Sequence, residues 1–135
     1  MPPGLLQARR EGYHGAVDGW RPASERNRER RDRLMAEARR CATVLASAGA
    51  TRVILFGSLA TGRGPVDDID LIAVMPTDLP FVERSASLFD AIDSAESIDL
   101  LVYTPAEFEA MASSSALVMN ALSTGVTLHE KRTGA

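Results

Sequence analysis

Residues 53–75 read VILFGSLATGRGPVDDIDLIAVM, and this stretch decides the fold. Its two ends are short apolar runs, which is the pattern of buried strands. Between them lie the dipeptide Gly57-Ser58 and a polar loop that contains two further glycines, and both features indicate a turn. Because this connection is short, we expect the two strands to be antiparallel neighbours rather than parts of a βαβ unit.

Two carboxylates open the second of these strands. Asp68 and Asp70 are two residues apart, and alternate residues of a strand point to the same side. Like charges so close together repel each other unless a cation lies between them. The turn at Gly57-Ser58 offers backbone N–H groups to an anion such as a phosphate, and Arg63 is the only cation in the loop. The stretch therefore predicts a metal site facing a phosphate-binding turn, with Gly57, Ser58 and Arg63 on the phosphate side.

The flanking sequence alternates helical and strand patterns. We predict a small mixed β-sheet with helices packed on it, an α/β (α+β) fold. Residues 1–23 are predicted to be an extension, partly disordered and with Tyr13 and Trp20 available for docking, and residues 24–135 the folded domain. Within the domain we predict helices over Ser24–Ala48, Pro80–Asp93, Pro105–Met111 and Ser114–Thr124, and strands over Thr51–Phe56, Ile69–Met75, Ser97–Tyr103 and Val126–His129.

Three details of these helices follow from the pattern. Ser24 is expected to cap the first helix, whose apolar face includes Cys41, so this thiol is read as a core residue rather than a nucleophile. The run Ser113–Ser115 is expected to cap the last helix. The helix over Pro80–Asp93 is expected to bury its large apolar side chains, which are Phe81, Val82, Leu88, Phe89 and Ile92.

Asp99 completes the predicted site. It precedes the apolar run of the third strand as Asp70 precedes that of the second, so neighbouring strands would bring both acids to one end of the sheet. Three carboxylates there would hold two divalent metals about 4 Å apart, and oxygen ligands favour Mg²⁺ or Mn²⁺. Asp68 and Asp70 would bridge the metals, while Asp99 would ligate one of them and accept the acceptor's proton. Asp67 is read as a loop acid.

Composition and charge exclude several other classes of function. The chain has 135 residues and one cysteine, which fits a single domain in the reducing cytoplasm. No apolar run approaches the roughly 20 residues that span a bilayer, so no membrane role is expected. Residues 49–135 carry five basic and twelve acidic residues, which argues against a groove for long nucleic acid. Residues 1–48 contain ten arginines, and those of the first helix are read as a solvated helix face rather than as contacts to phosphates or an acidic partner.

The order strand, Gly57-Ser58, nine residues, Asp68-x-Asp70 and a later strand acid, Asp99, resembles the nucleotidyltransferase superfamily of DNA polymerase beta. The closer resemblance is to its minimal single-domain members, the MNT proteins, and extends from about Arg28 to His129. It implies a polymerase-beta-like fold and transfer of NMP from ATP or another NTP with Mg²⁺. It also implies that a HEPN-type ribonuclease toxin is the partner, since many minimal members are antitoxins.

Two other functions stay open at this stage. The chain could neutralise a toxin by contact alone, with catalysis weak or lost. It could also transfer NMP to a small molecule, although few residues remain after Tyr103 to build a second wall for the acceptor pocket. A homodimer could supply that wall, and a homo- or hetero-oligomer is among the expected assemblies.

Overall fold

The computed structural model describes residues 22–132. The chain forms five α-helices, a short 3-10 helix and four strands in this range. In chain order they are α1 (Ala23–Ser47), β1 (Arg52–Phe56), α2 (Gly57–Thr61), β2 (Ile69–Val74), the 3-10 helix (Phe81–Glu83), α3 (Arg84–Ile92), β3 (Ile98–Tyr103), α4 (Pro105–Met111), α5 (Ala116–Thr124) and β4 (Val126–Glu130).

The four strands form one mixed sheet in the order β3-β2-β1-β4. β1 is antiparallel to both β2 and β4, while β2 and β3 are parallel. The predicted antiparallel pairing of the first two strands and the predicted adjacency of the second and third are therefore confirmed. The register places Phe56 opposite Asp70, and Asp70 opposite Asp99.

Helices cover both faces of this sheet because successive strand residues point to opposite sides. On one face α1 contributes Leu34 and Cys41, both fully buried, to a core that also contains Leu88 of α3. On the other face Phe108 of α4 and Val118 of α5 pack against the sheet. Complete burial of Cys41 confirms its reading as a core residue. Burial also raises the pKa of its thiol to about 11, which leaves it protonated at neutral pH.

The predicted N-cap is found at the last helix, α5, but not at the first, α1. The Ser115 hydroxyl accepts a hydrogen bond from the Val118 N–H at 3.3 Å, so the predicted cap of α5 is confirmed. The predicted cap Ser24 is wrong, because α1 begins at Ala23 and its N-cap is Pro22, with no side-chain cap bond. Proline suits a helix start because its φ is already fixed there.

The helix predicted over Pro80–Asp93 is divided into a 3-10 turn and α3, and its burial was predicted wrongly. Only one side of α3 meets the sheet, through Leu88 and Ile92. Phe81, Val82 and Phe89 are 45%, 83% and 41% exposed. The apolar pattern predicts the helix correctly. It cannot show that, within residues 22–132, the outer side of this helix stays exposed.

Of the predicted N-terminal extension, only residues 22 and 23 belong to the described range. Residues 1–21, with Tyr13 and Trp20, lie outside the described range, and the division at residue 23 stays a prediction.

Among the helices of residues 22–132, none combines the length and apolarity needed to cross a membrane.

Candidate active site at the end of the sheet

The chain leaves β1 through a backbone conformation that only glycine adopts easily. Gly57 has φ of 76°, in the left-handed region where a side chain is strained. A Cβ atom built there would overlap Asp70 Oδ2 and lie 3.0 Å from Asp70 Cγ. Gly57 therefore allows the turn to lie directly against the Asp70 carboxyl group.

The turn continues into a helix that the sequence analysis missed. Residues Gly57–Thr61 form α2, and Gly62, at φ of 74°, ends it with its N–H donating to Ser58 O at 2.8 Å. The sequence predicts a turn and a loop here because Gly57-Ser58 and the two further glycines are turn signals. Burial of Leu59 in the core holds this single turn of helix in place.

Asp70 and Asp99 meet at the end of the parallel strand pair. Their Cα atoms are register partners, and the two carboxyl groups are within hydrogen-bonding reach. The pKa of Asp70 is raised to about 6, first by burial and then by the neighbouring Asp99 carboxyl group and the negative charges of Asp99 and Asp68. Asp70 and Asp99 thus lie side by side as predicted. Asp68 is close enough for its charge to raise the pKa of Asp70.

The donor set at this point fits a divalent cation in its chemistry. A hydrogen bond between two carboxyl groups requires a shared proton, and a metal ion would supply positive charge at the same place. All three acids offer oxygen ligands, which suit Mg²⁺ or Mn²⁺. Among residues 22–132, however, no group of three or more potential ligands is gathered closely enough to enclose an ion. Asp70 and Asp99 are the residues best placed to hold one, with Asp68 as a further acid two residues away.

Two arginines of α1 fix the loop that joins the turn to the acids. Arg30 Nε donates to Val66 O at 2.7 Å, and Arg31 Nη2 donates to Leu59 O at 3.3 Å. These bonds hold the loop at both ends, so the position of Asp68 and Asp70 relative to Gly57 depends on α1. The charge pattern of α1 predicts a solvated face for these arginines, and no local signal distinguishes them from their neighbours.

A polar cleft lies beside the turn. It has a volume of about 640 Å³ and is lined by Gly57, Ser58 and Arg63, together with Asn120 and Thr124 of α5. The three residues predicted to bind phosphate are therefore brought together. Asn120 and Thr124 were not predicted, because only the packing of α5 on the sheet places them opposite the turn.

A second cleft of about 490 Å³ contains the acid pair. Asp70 and Asp99 form its polar part, and its wall is apolar, with Phe56, Phe89 and Leu117 among the lining residues. Phe89 and Leu117 come from helices far apart in sequence, and the helical pattern predicts Phe89 to be a core residue. Their position next to carboxylates was not visible without the tertiary structure.

Comparison with known proteins supports the fold. Neither the protein-family models nor the curated proteins include a significant match to this chain. A solved structure from Sulfolobus solfataricus, described provisionally as a nucleotidyltransferase, matches with a TM-score of 0.51 and 20% sequence identity. The match covers 68% of this chain and 83% of that one. At this identity the likeness concerns the fold alone: this chain shares the small mixed α/β architecture of that structure.

Proposed function

We propose that this protein is a nucleotidyltransferase that transfers NMP, with AMP from ATP as the first choice, to a hydroxyl group of a protein partner. Mg²⁺ or Mn²⁺ is the proposed cofactor. The observation that carries the proposal is the contact between the left-handed turn at Gly57 and the Asp70 carboxyl, which stands in register with Asp99. This arrangement puts a phosphate-binding backbone next to a pair of acids.

The two sides of the site have separate tasks in this proposal. Gly57 and Ser58 bind the β- and γ-phosphates through N–H groups and the serine hydroxyl, and Arg63 offers a cation to the same charge. Asp70 and Asp99 hold the divalent ion, assisted by Asp68. When bound, that ion offsets negative charge on the phosphates and on the leaving pyrophosphate.

The proposed reaction is a single displacement at the α-phosphorus. The acceptor oxygen forms a bond to this phosphorus, while the bond from the phosphorus to the β-phosphate oxygen breaks and pyrophosphate leaves. Asp99 accepts the proton of the acceptor hydroxyl, a role that suits an exposed carboxylate that lines the cleft. The products are the NMP ester of the acceptor and pyrophosphate.

The proposed partner is a HEPN-type ribonuclease toxin in the cytoplasm, with this protein as its antitoxin. The support is the resemblance of the Gly-Ser and Asp-x-Asp pattern to minimal nucleotidyltransferases. A second candidate function, neutralisation by contact alone, is favoured by the exposed apolar side chains Val82 and Phe89. An Asp68→Ala/Asp70→Ala double variant separates the two functions by its ability to neutralise the toxin. Lost neutralisation supports catalysis, and retained neutralisation supports contact.

Transfer itself is tested with ATP labelled at the α-phosphate and the purified partner. We expect incorporation that requires Mg²⁺ or Mn²⁺ and stops with EDTA. Asp99→Asn should lower the rate by about 10²- to 10⁴-fold, the usual contribution of a positioned proton acceptor. Asp78→Asn is the matched control, because Asp78 is an exposed acid beyond the opposite end of β2. Incorporation that survives in Asp70→Asn and Asp99→Asn would refute the assigned site.

A further inference from the structure

The site has two clefts of opposite character, and α5 lines both of them. Asn120 and Thr124, towards the end of the helix, face the cleft at the Gly57-Ser58 turn. Leu117, at its beginning, lines the cleft that contains Asp70 and Asp99. A triphosphate is strongly charged and suits the first cleft, which contains Arg63. The second cleft combines two acids with an apolar wall, so it suits a ligand that is apolar and not anionic.

The apolar wall continues onto the outer surface of the protein. Phe89 and Leu117, which line the cleft, are 41% and 43% exposed. Val82, in the 3-10 helix that precedes α3, is 83% exposed, so Val82 and Phe89 both lie on the outer surface of this segment. We call Val82, Phe89 and Leu117 the apolar face. Large side chains exposed in this way beside a cleft are typical of an interaction surface.

The charge around this face is negative. Residues 81–93 include Glu83 and Asp90, both exposed, and only one base, Arg84. Arg84 is just 8% exposed and is turned inward, where Nη1 contacts Glu107 Oε1 at 2.6 Å and Nε donates to Leu79 O at 2.9 Å. Its charge is therefore satisfied within the domain. A partner that covers the apolar face would meet uncompensated carboxylates at its rim, which favours lysine and arginine there.

From these observations we infer that the apolar face and the acid-lined cleft bind the acceptor as a polypeptide segment with apolar side chains flanked by lysine or arginine. This inference rests on the proposed function, since it assigns the acceptor side of the same site. The apolar side chains would lie against Phe89 and Leu117, and the basic flanks near Glu83 and Asp90. The hydroxyl that receives NMP would then lie next to Asp99, which accepts its proton as pyrophosphate leaves.

Binding is measured first, without nucleotide, so that it does not depend on transfer. The probes are short fluorescein-labelled peptides with a central tyrosine or serine and three kinds of flank: leucine with lysine, leucine with glutamate, and serine with lysine. Fluorescence anisotropy should give the lowest Kd for leucine with lysine. Phe89→Ser and Leu117→Ser should each raise that Kd about tenfold or more, as expected for a central interface residue. Met119→Ser is the matched control, because Met119 is 48% exposed on the same helix and lines neither cleft.

Charge reversal tests the second half of the inference. The double variant Glu83→Lys/Asp90→Lys should lose the preference for lysine over glutamate flanks while its helical circular dichroism stays unchanged. Equal affinity for all three peptides, absence of binding, or no effect of Phe89→Ser would overturn the inference.

Transfer kinetics with the same peptides separate this inference from the proposed function. In Phe89→Ser the KM for the peptide should rise while the KM for ATP stays constant. A higher KM for ATP instead would place the nucleobase in this cleft and overturn the inference. Peptide binding without any transfer would contradict the proposed function but support the docking surface. Transfer that Phe89→Ser and Leu117→Ser leave unchanged would support the function and overturn the surface.

Discussion

Adding a methyl group at Gly57 would test the contact on which the site depends. In Gly57→Ala the new Cβ would overlap Asp70 Oδ2 and lie 3.0 Å from Asp70 Cγ, in a backbone with φ of 76°. Two effects should lower the free energy of unfolding: the strain of an alanine in the left-handed backbone, and the displacement of the Asp70 carboxyl group. Gly64→Ala separates them, because Gly64 has a similar φ of 70° with no atom within 4 Å of an added Cβ.

The expected magnitudes follow from these geometries. A left-handed alanine costs about 1–2 kcal/mol, and the loss of unfolded-state freedom returns about 0.4–1 kcal/mol, so Gly64→Ala should destabilise by about 1 kcal/mol. Gly57→Ala must in addition rotate the Asp70 side chain from its position, at about 0.5–1.5 kcal/mol. We therefore expect a total loss of about 2 kcal/mol for Gly57→Ala.

A double-mutant cycle isolates the second cost. In an Asp70→Ala background the overlapping oxygen is absent, so Gly57→Ala should cost only about as much as Gly64→Ala does, about 1 kcal/mol. Urea unfolding followed by far-UV circular dichroism gives the four free energies of unfolding. Equal costs of Gly57→Ala in both backgrounds would refute the claim that the glycine exists to admit the carboxyl group. Gly57→Ala should also lower metal-dependent transfer, and Gly64→Ala should not.

Three further changes have expected outcomes in the same unfolding assay. Asp70→Asn should stabilise the protein at pH 7.5 but not near pH 4. The pKa of Asp70 in the folded protein, about 6, lies above its usual value of 3.8. The native state therefore loses stability as the pH rises between these two values. An Asp70→Asn variant less stable than the wild type at pH 7.5 would contradict this expectation. Glu37→Gln should cost less than about 1 kcal/mol at neutral pH. The hydrogen bond from Arg40 lowers the pKa of Glu37 to about 2, so this contribution is present above pH 4.5 and is lost as the pH falls towards 2, where variant and wild type should unfold alike. Ile72→Ala removes a fully buried side chain and should cost about 2–5 kcal/mol, whereas Met119→Ala at the surface should stay within about 0.5 kcal/mol.

The local part of this fold could be predicted from the sequence, because short-range patterns determine it. The strand pattern on both sides of Gly57-Ser58 and the short connection specify an antiparallel pair. The placement of Asp70 and Asp99 at the start of equivalent apolar runs specifies their meeting, and the register confirms it. These inferences needed only the period of a strand and the length of a turn.

The remaining features depend on which surfaces meet in space. Asn120 and Leu117 line the clefts only because α5 packs across the end of the sheet near Gly57 and Asp99. Phe89 has the sequence signature of a core residue, and periodicity cannot tell whether a packing partner exists on that side. Arg30 and Arg31 look like any other charges on α1 until their hydrogen bonds to the loop carbonyls are known.

The two ends of the sheet differ in a way that bears on function. At the end where β3 finishes, Arg84 forms two bonds to Glu107, and Glu107 completes a capping box with Thr104, so the charges of Arg84 and Glu107 are paired. At the other end Gly57 holds a left-handed conformation against a carboxyl group whose pKa is raised by burial and by neighbouring acids. A fold that optimised stability alone would replace such an acid, since unpaired like charges weaken the native state. The concentration of these unfavourable features around Asp70, beside two open clefts, is the distribution expected of an active site rather than of a structural end of the sheet.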